Sequence, residues 1–147
     1  MCEVRVLREI RTQREFDTPD ELLVRVKDRG SFKVDEGLVA FVDSKTGPRE
    51  FTAVIVRLTE PVVKESVSDY VSSQKFSPIS VREAMSVALH HPCDIANVGF
   101  GPVIIVTPSR KDPSQFVGVS SDHTRIGVAR LGQKEIPVGT LLMVKRP

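Results

Sequence analysis

The sequence predicts an α+β domain: a mixed, largely antiparallel sheet of six or seven strands, able to curl toward a barrel, with about three helices packed on it. Three observations carry this. Apolar residues recur at helical spacing in three separate stretches. Short apolar, β-branched segments follow one another after residue 102. The order strand, helix, hairpin, two helices, then strands lacks the regular alternation of a doubly wound parallel sheet. With 147 residues, 40% hydrophobic and 27% charged, the chain can bury a sizeable core as one globular domain spanning 1–147. It carries no Trp and one Tyr, so that core should be mainly Val, Ile, Leu and Phe.

Residues 3–10, EVRVLREI, place Val4 and Val6 on one face of a strand. Arg5, Arg8, Arg11 and Arg14 recur every three residues and would equally suit a helical edge, but the strand is favoured. A helix over 19–28 follows. Thr18 is its N-cap, Pro19 fits the first turn, Glu21 completes a capping box and Gly30 is placed to end it. Leu38–Asp43 and Phe51–Leu58 flank a Gly-Pro turn and read as a hairpin. The near-continuous FTAVIVRL suits a central strand covered on both faces. Pro61 then opens a helix with Val63, Val67, Tyr70 and Val71 at helical spacing.

The best-supported element is the next helix. Ser80 and Glu83 form a capping box, and Val81, Ala84, Met85, Ala88 and Leu89 make one apolar stripe. The same spacing puts Glu83, Ser86 and His90 on a wet face and His91 at the edge of the stripe. Pro92 ends the helix at about His90. Beyond it the sequence predicts strands at Val103–Thr107, Phe116–Ser120, Ile126–Leu131 and Leu141–Lys145.

Side chains that could do chemistry gather between His90 and Val106. His90, His91, Cys93 and Asp94, with His123 arriving from a distant turn, include the ligand types zinc prefers. Adjacent histidines diverge, however, and the familiar metal-site spacings are absent. Cys93 as a nucleophile would need a protonated histidine to offset the helix C-terminus before it. Ser120, Ser121, Asp122 and His123 hold the letters of a catalytic triad but read more simply as a turn.

Gly99 and Gly101 after Asn97 resemble half of a nucleotide-binding turn. They lead into a strand, so the dinucleotide geometry fails while close approach of a ligand stays open. Arg110 and Lys111, with Arg125, Arg130, Lys145 and Arg146, would form a basic face if gathered together. No aromatic-rich strand for stacking bases accompanies them, so a solvated surface outweighs nucleic-acid binding.

The formal net charge is +2, and two cysteines do not make a disulfide framework. The N-terminus is too charged for a signal peptide and no apolar run would span a bilayer, so a soluble, cytoplasmic protein with free thiols is expected. No cofactor is called for. The favoured function is a non-enzymatic binding or interaction domain for a protein or small-molecule partner. Its contacts would lie around the 91–101 turn (Asn97, Gly99, Gly101), Arg110, Lys111 and the late strands. The alternative is a small hydrolase or transferase using His91, Cys93, Asp94 and His123, with or without zinc.

Overall fold

The computed structural model describes residues 4–14, 18–28, 32–35, 37–38, 42, 49–99, 101–107, 115–130 and 132–147. The elements are β1 (Arg5–Gln13), α1 (Pro19–Asp28), β2 (Lys33–Val34), β3 (Glu50–Arg57), β4 (Val62–Val63), α2 (Val67–Ser73), α3 (Val81–His90), α4 (Pro92–Ala96), β5 (Val103–Ile105), β6 (Gln115–Val119), β7 (Arg125–Arg130), β8 (Glu135–Ile136) and β9 (Leu141–Lys145). Seven strands form one mixed sheet in the order β1-β3-β9-β5-β6-β7-β2, and β4 pairs with β8 in a separate two-stranded ribbon. Within the large sheet, β5–β9 and β2–β7 are parallel and the other neighbours antiparallel. The α+β expectation holds.

The curl toward a barrel does not occur. The sheet ends at β1 and at the two-residue β2, and α1 and α3 pack where a barrel would have its interior. β3 shows how the two faces divide. Its Ala53 and Ile55 enter one hydrophobic cluster with α1 and α3, while Val54 and Val56 enter a second with α2, Val62 and Ile136. Alternation along a strand sends successive side chains to opposite faces, so a continuously apolar strand must be covered twice.

Three expectations are corrected. β3 does not form a hairpin with Leu38–Asp43, because its two edges are taken by β1 and β9. Most of 38–43 lies outside the described residues, but Leu38 and Val42 are buried in the first cluster. Pro61 leads into β4 and a 3-10 turn at Lys64–Ser66 before α2 starts at Val67. Two valines favour the extended backbone there, and Lys64 N donates to Lys134 O at 3.0 Å beside the ribbon.

The third correction concerns α3. The capping box is present, with Glu83 N donating to Ser80 Oγ at 3.0 Å and Ser80 N to Glu83 Oε1 at 3.1 Å. The helix has no wet face before His90, however: Arg82, Glu83 and Ser86 are buried with its apolar residues. Glu83 is neutralised by Lys145 of β9, whose Nζ donates to both carboxylate oxygens at 3.0 Å, and Ser86 Oγ donates to Arg82 O at 2.9 Å. The buried side chains of Glu83 and Ser86 thereby keep partners, as burial requires.

Thr18 caps α1, the half of the expected capping box in which its hydroxyl accepts. Glu21 N donates to Thr18 Oγ1 at 3.3 Å, and Leu22, Leu23 and Val26 are buried; Gly30 lies outside the described residues. Among the described residues no helix is long and apolar enough to cross a membrane.

Candidate functional site

The four late strands fold as the sequence predicts, and β6 and β7 make a hairpin around Ser121–Thr124. The turn is held by its own side chains. Ser120 Oγ donates to Asp122 Oδ1 and accepts from Arg125 N at 3.2 Å, while Thr124 N donates to Asp122 Oδ1 at 3.2 Å. These bonds favour the carboxylate, and Asp122 is lowered to a pKa of about 2, chiefly by the Ser120 hydroxyl and then by Thr124.

The hairpin register sets Gly118 opposite Gly127, with Ile104 of β5 beside Gly118. All three point to the face that carries Phe116, and the second hydrophobic cluster that covers this face draws no described side chain from β7. Two adjacent residues without a Cβ thin the sheet face there: a Cβ on Gly118 would stand 2.7 Å from Val103 O, and the space over Gly127 holds the Asp35 carboxylate. The result is a cleft of about 330 Å³, floored by Ile104, Phe116, Gly118 and Gly127. Pro102, which follows the glycine turn, is at its rim.

Its polar end is supplied by Asp35, just beyond β2, and Arg125, at the start of β7. Arg125 Nε donates to Asp35 Oδ1 at 2.6 Å, and Nη2 contacts the same oxygen. The carboxylate lies across Gly127. A Cβ there would stand 1.8 Å from Asp35 Oδ2 and 2.6 Å from its carboxyl carbon, so only glycine lets Asp35 reach this position. Ser120 completes the lining at that end. A mainly apolar cleft of this size with a few convergent polar groups has the usual character of a small-molecule site.

The residues predicted for chemistry divide between two places. His91 sits at the junction of α3 and α4, with Nδ1 3.5 Å from Asp94 Oδ2, and Arg8 Nε approaches Asp94 Oδ1 at 3.7 Å. Pro92 stops α3 as expected but also opens α4, because proline suits a first helical turn. Cys93 is free and exposed on that short helix. His123 belongs to the β6–β7 turn, in left-handed backbone at φ 58°, and its Nε2 donates to Gly99 O at 2.8 Å. Its Nδ1 is buried and has no hydrogen-bond partner among the described residues. No hydrogen bond or ion pair of the described residues joins His123 to Cys93, His91 or Asp94.

Gly99 and Gly101 have φ of 123° and 94°, values that side-chain-bearing residues rarely adopt, and Asn97 caps α4 through its backbone N–H to Cys93 O. The 91–101 turn is thus tied to the late hairpin through the His123–Gly99 hydrogen bond, and Pro102 beyond it stands at the rim of the cleft. Arg110 and Lys111 lie outside the described residues. Among the described residues, no three His, Cys, Asp or Glu side chains gather to hold a metal ion.

Sequence reasoning noted Ser120 and Arg125 but assigned them to a turn and a basic face. It passed over Asp35, Gly118 and Gly127. A signal for the glycines exists: they interrupt two apolar strands at equal distances from the turn centre, so a hairpin folded at Asp122–His123 must set them opposite each other. No protein-family model, no curated protein and no solved structure matches the chain.

Proposed function

We propose that this protein is a non-catalytic binding domain that takes a small, largely apolar ligand into the cleft over Gly118 and Gly127. The observation that carries this reading is the cleft itself: a mainly apolar slot along β5, β6 and β7, closed at one end by a charged pair. Both positions require glycine, since a Cβ would meet Val103 O at Gly118 and the Asp35 carboxylate at Gly127. The favoured site combines the late strands with the turn that ends at Pro102. The separation of His123 from the His91–Asp94 pair gives the Cys/His hydrolase reading no comparable support. The exposed, unpaired thiol of Cys93 supports a reducing compartment such as the cytoplasm.

Amide-resolved NMR with a small-fragment mixture tests the reading. Bound fragments should shift the amides of Ile104, Phe116, Gly118 and Gly127 together, and Pro102→Trp at the rim should weaken those shifts while the thermal midpoint stays unchanged. Fragments that shift other surfaces and leave these four amides in place would remove the cleft from consideration.

A further inference from the structure

The polar end of the cleft is neutral as a unit but strongly dipolar. Asp35 and Arg125 cancel in charge, and both guanidinium contacts described above fall on Oδ1. Oδ2 is left over the glycine floor, where it is the atom nearest a Cβ placed on Gly127. The Arg125 side chain is 63% exposed and the Asp35 side chain 27% exposed, so guanidinium N–H groups and a carboxylate oxygen face the same space. An acceptor and several donors therefore stand side by side at the end of an apolar slot.

We infer that the cleft selects an uncharged ligand with a flat apolar body and an amide-like edge, one carbonyl beside one N–H, over carboxylates and ammonium ions. This rests on the binding reading above and adds the chemistry of the ligand. A ligand carbonyl accepts from Arg125 while its N–H donates to Asp35 Oδ2, so both members of the pair keep their partners. A carboxylate meets Arg125 only by approaching Oδ2, and an ammonium meets Asp35 only beside the guanidinium. Each ion therefore gives up hydration and gains attraction from one partner with repulsion from the other. The flat body follows from the lining: Ile104, Phe116 and the strand backbone at Gly118 form the apolar face of the slot, Asp35 over Gly127 walls its polar end, and the volume suits one or two rings.

The test is calorimetric titration of the full chain at pH 7 with three probes of one shape: naphthalene-2-carboxamide, naphthalene-2-carboxylate and naphthalen-2-ylmethylammonium. The carboxamide should bind at least about fivefold more tightly than either ion. Asp35→Asn, nearly isosteric, leaves Arg125 unneutralised and should reverse the order of amide and carboxylate. Arg125→Gln should shift preference toward the ammonium instead, and it serves as the second variant should Asp35→Asn unfold the β2 edge.

A wild-type protein that binds the carboxylate or the ammonium as tightly as the amide overturns this inference and leaves the cleft reading standing. Unchanged selectivity in both variants also overturns it. Failure of all three probes to bind, with the fragment-shift experiment negative, overturns the cleft reading as well.

Discussion

At the scale of single residues, Asp122 offers the most direct check on the hairpin. Its carboxyl is depressed from 3.8 to about 2 by the Ser120 hydroxyl, then by the side chain and backbone of Thr124. A depressed acid contributes stability that is complete above its unfolded pKa and is lost as pH falls through its folded one. The β6–β7 turn should therefore be intact at pH 4 and loosen toward pH 2. A carboxyl-detected NMR titration should place the Asp122 midpoint near 2, and Ser120→Ala should raise it toward 3.8; a wild-type midpoint near 3.8 would contradict the turn geometry. Gly127 supports a second expectation. Gly127→Ala forces Asp35 off the sheet, which should cost about 1–3 kcal/mol in urea unfolding as overpacking does and should abolish amide selectivity. The turn itself was legible, because Ser, Asp and their own backbone act within five residues. Asp35 was not: its partner Arg125 lies 90 positions away, and nothing local marks it.

At the scale of elements, what could be read in advance was whatever local chemistry decides. Both helix starts, Thr18 and Ser80, and the four late strands follow from caps, proline and β-branched runs. The polar residues of α3 were misplaced because helical periodicity assumes that polar means wet. Glu83 is buried since Lys145, sixty-two residues later, arrives from β9 to neutralise it. The ribbon of β4 and β8 was also hidden, being two residues on each side and defined only by pairing. The Glu83–Lys145 pair gives a sharp prediction. Glu83→Ala removes the capping box and strands a partly buried ammonium, since the Lys145 side chain is 24% exposed, and should cost about 3 kcal/mol or more. Replacing both partners, Glu83→Leu with Lys145→Met, should recover most of that loss, because two apolar side chains leave no charge unpaired. Urea denaturation of the two variants beside the wild type checks it; a double variant as unstable as Glu83→Ala would mean that the cap and not the ion pair dominates.

At the scale of the whole molecule, strand order was beyond the sequence, since β9 comes last of the nine described strands in sequence order yet inserts between β3 and β5. That insertion decides how the protein should unfold. β3 and β9 contribute to both hydrophobic clusters, so neither layer can be lost without stripping one face of the central strands. We therefore expect a single cooperative transition in which both layers melt together. The chain supplies a convenient reporter: its one tyrosine, Tyr70, packs against the second cluster, and there is no tryptophan to obscure it. Tyr70 fluorescence should follow that cluster, while far-ultraviolet circular dichroism follows α1 and α3 on the opposite face, and the two curves should coincide. Ile55→Ala in the first cluster and Leu142→Ala in the second each empty a fully buried site and should each destabilise by about 2–5 kcal/mol. Because the layers share their strands, each variant should displace both curves by the same amount. A Leu142→Ala protein whose Tyr70 signal moved while the dichroism midpoint stayed in place would show that the α2 layer melts alone. The ligand cleft shares Ile104 and Phe116 with the second cluster, so its floor would then lose that packing while the sheet beneath survives.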